Sequence, residues 1–420
     1  MELPICRGEG RKVGLRIVVV GAGIAGCLIV QGLQQEPDIE LICIEKGSEK
    51  NVLAGTGLNI GPNALKILTQ FNYELAISLQ ATGVSLPWLS WKAGLTDGTL
   101  VMDLPLLQVA DNPGIRIRWS ELYHQLRRPI AGRVWYNTTI KSMRYAESAM
   151  KGPLELVVEN QITGELQILN QVDLIIGCDG RYSQVRSTFF GGQPEPTYLP
   201  VCIYRLLVPN RADNLIDDYQ QWFHNGHRLL AFAIPGNEVY IAGSFPLNSN
   251  LDISEENKQP HILQQLYKSE PGYSEVCQFL VDSICNHVDN IHWARIQEIP
   301  PVFGDEKDHV LCLGDSSHAM FPTLGQGATQ AFEDGCFFVS QIRQCLTEAK
   351  KNNSQLDVSS LIAKVEAKRR SRIKFVQQFS REASDSLLSG SNPMAEINSK
   401  MQAPFLEKLM KLYQNTPEII

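Results

Sequence analysis

The sequence predicts an α/β fold: a parallel sheet flanked by helices, a second and antiparallel sheet, and a helical C-terminal region. Three observations carry this. Arg16-Ile17-Val18-Val19-Val20 and Val172-Asp173-Leu174-Ile175-Ile176-Gly177 are nearly unbroken apolar runs, as in strands buried on both faces. From Cys202 to Phe245 apolar and polar residues alternate, as in Ile203-Tyr204-Arg205-Leu206 and Val239-Tyr240-Ile241-Ala242, the period of a half-exposed sheet. After Asn353 the apolar spacing becomes helical.

The first run leads into Gly21-Ala22-Gly23-Ile24-Ala25-Gly26. Gly21 permits a tight turn, Gly23 lets the backbone approach a pyrophosphate, and Gly26 lets the following helix pack on the strand. Phosphates would meet free N–H groups at the positive end of that helix. A second strand, Glu40-Leu41-Ile42-Cys43-Ile44, ends at Glu45 and Lys46, about 20 residues beyond the glycines, where an acid accepts hydrogen bonds from ribose hydroxyls. Gly21, Gly23, Ile24, Ala25, Gly26, Glu45 and Lys46 are therefore the candidate contacts of a Rossmann-like dinucleotide site. A glycine-rich turn without a ligand would not need Glu45. The acid repels a 2′-phosphate, which disfavours NADP here and leaves FAD and NAD.

Two later segments separate those cofactors. The strand at Leu174 runs into Cys178-Asp179-Gly180, followed by Ser183, Val185 and Arg186. The stretch His309-Val310-Leu311-Cys312-Leu313-Gly314-Asp315 continues through Pro322-Thr323-Leu324-Gly325-Gln326-Gly327-Ala328 to Gly335. These resemble the DG and GD motifs of the group A flavoprotein monooxygenases, the single-component FAD-dependent aromatic hydroxylases that include salicylate and hydroxypyridine hydroxylases. The resemblance covers about residues 15 to 385, including the second loop Gly57-Leu58-Asn59-Ile60-Gly61-Pro62-Asn63-Ala64. It implies noncovalent FAD, with Asp315 at the ribityl or ribose region, Asp179 near the pyrophosphates, and Pro322, Gly325, Gln326, Gly327 and Ala328 beside the isoalloxazine ring. Glycines at the start of a helix expected from Ala328 to Phe338 would leave N–H groups free to stabilise a reduced, anionic flavin. One position departs from the family. Relatives carry an FAD-contacting arginine three residues before a leucine; here Trp119 stands there, with Arg116 and Arg118 upstream of Leu122, and Arg118 is taken as the candidate.

The resemblance constrains the chemistry. NADH or NADPH, bound transiently because no second GxGxxG is present, reduces FAD; O₂ adds to give a C4a-hydroperoxide; and its distal oxygen hydroxylates or epoxidises a small aromatic or natural-product substrate. The catalytic candidates are Pro322 and Gly325 of the flavin loop and, from the roof sheet, Tyr204, which could position or deprotonate a phenol, and Arg205, whose charge would help ionise the tyrosine; His224 and Tyr240 are candidate substrate contacts. Packing of Tyr204 in the sheet and a solvated turn at His224 are the alternatives. An FAD-dependent reductase or a halogenase-like flavoenzyme is a second reading, although Trp88-Leu89-Ser90-Trp91 lacks the halogenase WxWxIP spacing. A nonenzymatic nucleotide-binding protein is a third.

The 420 residues suffice for several domains. The expected division is an N-terminal extension (1–14), a discontinuous FAD-binding domain (15–190 and 295–345) with an insertion near 86–100 that joins the substrate domain, a substrate-binding sheet (191–294) and C-terminal helices (346–420). Lys368-Arg369-Arg370 is expected on a solvated helix face. A net charge of −7 without a basic cluster argues against nucleic acid. There is no apolar run long enough for a membrane anchor and no secretory signal, so a cytoplasmic monomer or homodimer is expected. Ten unpaired cysteines fit reduced thiols, and the HxxH of His224 and His227 has no companion ligands, so no metal is expected.

Overall fold

The computed structural model of the chain describes residues 14–49, 56–145, 153–211, 213–247, 253–268, 270, 272–305, 309–384, 387–388, 390 and 392–419. Residues 1–13 of the expected N-terminal extension lie outside them. The strand Leu15–Val20 pairs in parallel with Leu174–Gly177 on one side and Ile39–Ile44 on the other. Val310–Cys312 and Val134–Trp135 continue this sheet in parallel, and the edge strand Gly304–Asp305 runs antiparallel, giving six strands.

The apolar run is explained by two-sided burial. Ile17 and Val19 pack into the core formed with the helices Ile24–Leu33 and Gln326–Lys351. Val18 and Val20 pack on a three-stranded antiparallel sheet, Thr138–Tyr145, Leu154–Asn160 and Leu166–Val172. Each such side chain contributes about 1.5–3 kcal/mol by leaving water. The helix expected from Ala328 to Phe338 is longer, 26 residues from Gln326 to Lys351.

The second sheet has seven strands, in the order His292–Glu298, Thr197–Pro209, Glu238–Pro246, His227–Ile234, Tyr219–His224, Ser90–Leu95 and Leu100–Pro105. Neighbours are antiparallel except that Ser90–Leu95 runs parallel to Tyr219–His224, because many other elements lie between the two strands in the chain and no hairpin joins them. Its outer face carries the helices Pro260–Leu266 and Glu275–Asn286, and its inner face, with Leu230, Phe232 and Ala242, joins the core of the parallel sheet. The second loop and Ser85–Trp88 form a small sheet with Gly114–Arg118 between the two. The C-terminal region is helical, with Val358–Glu382, Pro393–Ser399 and Ala403–Gln414. Among the described residues no helix is long and apolar enough to cross a membrane.

The basic triplet is not a solvated face. Lys368 is exposed, but Arg369 is completely buried. Its guanidinium donates to Asp334 and Glu333, each at 2.7 Å, and to the side chain of Gln330 at 2.8 Å. Glu333 also accepts from Arg372 at 2.8 Å and Asn63 at 2.6 Å. Asp334 accepts from the Gly314 amide at 2.6 Å and bonds the His318 ring at 2.7 Å. Helical periodicity turns Arg369 inward beside Val365 and Ile373, and two buried carboxylates await it there. Burial alone would raise both acids. Arg372 and Arg369 instead bring Glu333 down to about 2, and His318 and Arg369 hold Asp334 well below the usual carboxylate range.

Removing one partner of such a buried pair strands a charge. Arg369→Met is expected to lower the unfolding free energy by about 3–5 kcal/mol, and Lys368→Met to change it by less than about 0.5 kcal/mol. Equal effects in denaturant titrations would contradict this arrangement. Both acids titrate lower folded than unfolded, where carboxyls ionise near about 4. Their stabilisation is thus complete above that range and is lost as the pH falls towards about 2. Unfolding midpoints should fall steeply below about pH 4.5, and less steeply in the Arg369→Met variant.

Candidate active site

Two cavities meet between the sheets. The first, of about 510 Å³, runs along the carboxyl ends of the parallel strands, where ligands bind in open α/β folds. Gly21, Gly23, Ile24, Ala25, Glu45, Lys46, Asp179, Gly314 and Asp315 line it. Gly21 has φ +100°, and a Cβ there would stand 2.3 Å from the Cys178 carbonyl oxygen. A Cβ at Gly26 would meet the Gly21 oxygen at 2.0 Å, so this glycine supports the turn from beneath and is not on the cavity wall. At Gly23 a Cβ would find only Cys178 O, at 3.8 Å, and the free space belongs to the cavity. No side chain caps the helix that starts here, so its first N–H groups remain available.

The acids Glu45 and Asp179 line this cavity, and each has a structural duty as well. Glu45 accepts from the amides of Ala22 at 2.8 Å and Gly47 at 2.7 Å, which fixes the turn and leaves carboxylate lone pairs towards the cavity. Asp179 accepts from Gln184 N at 2.7 Å and Val185 N at 3.2 Å through Oδ2, while its buried Oδ1 has no partner. Burial raises its pKa. An uncapped helix end, uncovered space at Gly23 and an orphaned acceptor on Asp179 are the features that a dinucleotide's phosphates and hydroxyls would complete.

The arginine on this wall is Arg127. It donates to Ala22 O at 3.2 and 3.0 Å, approaches Glu45 at 4.0 Å and lies over the Tyr123 ring at 4.6 Å. Trp119, Tyr123 and Arg127 share one face of the helix Trp119–Arg127 at i, i+4 and i+8, a spacing legible in the sequence but not used there. Arg118 lines neither cavity and pairs with Glu238; Arg116 is buried against Asp218 and the carbonyls of Pro87 and Asp217. A strand's alternation sends both away from the cleft.

The second cavity, of about 250 Å³, lies under the roof sheet. Trp88, Trp91, Tyr219 and Phe232 give it aromatic walls, and Pro322 to Gly325 closes one side. Trp119, Asp315, Gly327 and Ala328 line both cavities, so they form the shared wall. Gly325 has φ +64° and precedes the long helix, whose N-terminus no side chain caps; a Cβ on it would point into open space. Gln326 is buried beneath this wall, accepting from Asn63 at 3.1 Å.

Alternation along Thr197–Pro209 decides the roof candidates. Arg205 and Ile203 face the cavity, as does Tyr240. Tyr204 faces the opposite way, fully buried against the outer helices with its hydroxyl 2.6 Å from that of Tyr267. Burial pushes its pKa well above the ordinary value, so it is neither placed nor poised to act as a base. His224 is also excluded from the chamber. It begins a two-residue hairpin, with Asn225 at φ 47° and Gly226 at φ 79°, and bonds Asn225. Tyr240 is pushed up by burial despite Arg205 and Arg228, which leaves its hydroxyl protonated and a hydrogen-bond donor. Sequence reasoning passed over several chamber residues, among them Arg228, Arg181 and Tyr413 from the helix Ala403–Gln414. Among the described residues no group of three metal-ligating side chains gathers.

No family model matches the chain. The chain is 25% identical over 380 residues to the 6-hydroxynicotinate 3-monooxygenase of Pseudomonas fluorescens, covering 87% of this chain and 90% of that one. It is 24% identical over 423 residues to the salicylate hydroxylase of Pseudomonas putida, covering 94% and 90%. The structure of Klebsiella pneumoniae HpxO complexed with FAD and uric acid superposes with a TM-score of 0.78 at 17% identity, covering 96% of this chain and 97% of that one. The chain is thus similar over nearly its whole length to two monooxygenases, and it shares the fold of a protein solved with FAD bound.

Proposed function

We propose that the protein uses NAD(P)H and O₂ to hydroxylate a small aromatic substrate held under the roof sheet, with FAD in the adjoining cleft. The observation that carries this reading is the shared wall: a cofactor lying along the first cavity presents its far end, at Trp119, Asp315, Gly327 and Ala328, to the second. When bound, FAD supplies the electron transfer from NAD(P)H and the activation of O₂.

The chain's own residues then do four things. The helix end at Gly23, Ile24 and Ala25 receives the pyrophosphate, with Arg127 adding positive charge, and Glu45 receives the ribose. Asp179 and Asp315 accept hydrogen bonds along the rest of the cofactor. The uncapped amides after Gly325 favour negative charge on the nearby side of the ring. Trp88, Trp91 and Phe232 stack or pack on the substrate and keep the chamber dry, while Tyr240, Arg205 and Tyr413 offer donors that orient it.

Recording NAD(P)H oxidation, O₂ uptake and hydroxylated product across phenols, hydroxypyridines and related aromatics tests the reading. A substrate should stimulate all three together; oxidation without O₂ uptake would mark a reductase instead. Arg127→Ala, Glu45→Ala and Asp315→Ala are each expected to weaken FAD binding by about 1–3 kcal/mol, and Arg118→Ala to leave it unchanged; the reverse order of the two arginines in FAD titrations would overturn the cleft assignment. Gly325→Val forces a β-branched residue to φ +64° and projects it towards the chamber. This variant should keep FAD through the distant glycine turn yet divert NAD(P)H oxidation to H₂O₂, read as a lower ratio of product to NAD(P)H consumed. A wild-type ratio would remove the loop from the active site.

A further inference from the structure

Four arginines are buried among the described residues, and three are neutralised or fully hydrogen-bonded: Arg116 by Asp218 and carbonyls, Arg186 by the carbonyls of Ser316, Ser317 and Pro300, and Arg369 by Glu333 and Asp334. Arg228 differs. It is 4% exposed and projects from the strand His227–Ile234 on the chamber face, in phase with Leu230 and Phe232. Its Nε has no hydrogen-bond partner. The titratable groups acting on it are Tyr219, Tyr240 and Tyr267, with no carboxylate among them. Across the ladder stands Ser244, fully buried, whose hydroxyl is also unpartnered.

A guanidinium buried without a counter-ion loses several kcal/mol of hydration, and no carboxylate is among the groups acting on this one. It sits, however, on the wall of a cavity open to small molecules. A second cation, Arg205, lines the same chamber with its own Nε unpartnered, and Tyr240 lies within reach of both charges. Two guanidiniums, each with an unpartnered Nε, and a protonated hydroxyl around an aromatic-walled space form the complement of a planar ring bearing an oxyanion.

We propose that the chamber selects anionic aromatic substrates, with Arg228 as the counter-ion of a carboxylate or ionised ring oxygen and Arg205 as its second contact. This rests on the chamber being the substrate site proposed above. Guanidinium recognition of this kind also sets the substrate's register, because the charge is held at the Arg228 end while the ring extends towards the shared wall.

Benzoate and benzamide test it, since they share shape and differ in charge. Both are titrated into the FAD-loaded protein, followed by the visible flavin spectrum and independently by the thermal unfolding midpoint. Benzoate is expected to bind about tenfold or more tighter than benzamide. Arg228→Met should abolish that preference at unchanged FAD content, and Arg228→Lys should keep part of it. Equal or better binding of benzamide by the wild-type protein, or a preference that survives Arg228→Met, overturns the proposal. Should Arg228→Met fail to fold, chloride competition in the wild-type protein decides: chloride must weaken benzoate and spare benzamide, and equal effects on both overturn it. A protein that prefers benzoate through Arg228 but never transfers oxygen would keep this inference and remove the monooxygenase reading.

Discussion

The buried ion cluster around Glu333 and Asp334 sets the geometry on which the site depends. These adjacent carboxylates lie about two turns into the helix Gln326–Lys351, whose first residues belong to the wall between the two cavities. Through Asp334 the helix holds the Gly314 amide and His318, which places Asp315 at the strand end. Through Glu333 it holds Asn63 and with it the second loop. Arg369 and Arg372 reach the same carboxylates from a C-terminal helix. Four segments distant in the chain therefore share one electrostatic anchor, in a dry interior where geometry must be satisfied in full. The C-terminal region is part of the site's scaffold, and it also lends Tyr413 to the chamber.

The roof illustrates a different constraint. A strand's side chains alternate strictly, so neighbours such as Tyr204 and Arg205 serve opposite cores. Tyr204 and Tyr267 close the packing against the outer helices, whereas Arg205, Arg228 and Tyr240 share the inner face. The tyrosine hydroxyls on both faces are pushed up by burial. On the function proposed above, ionisation within the chamber falls to the substrate, in the field of the arginines.

Much of the fold was legible because it rests on local signals. The apolar run at Ile17, the glycines from Gly21 to Gly26 and the acid at Glu45 each announce their place, and the structure brings them to one cavity wall or to its support. The alternation from Cys202 marked a sheet but left its phase open, since Tyr204 and Arg205 are equally plausible until the partner layers are known. Arg127 was hidden by attention to the strand before its helix, although Trp119, Tyr123 and Arg127 are spaced as one helical face. Arg369 and Arg228 were illegible for a deeper reason. A lone arginine reads as solvated from sequence, and whether it is buried, paired or left unpaired is decided by other elements: for Arg369 a helix 36 residues away, for Arg228 the neighbouring strands of its sheet.

The central claim is that one cofactor spans the cleft and ends at the wall it shares with the chamber. A crystal structure of the FAD-loaded protein tests it most directly. The account predicts the pyrophosphate at Gly23 to Ala25, the adenosine ribose at Glu45, and the isoalloxazine ring against Trp119 and the segment from Gly325 to Ala328, with one face open to Arg205 and Tyr240. A ring lodged elsewhere, or walled off from the chamber by the roof sheet, would contradict it.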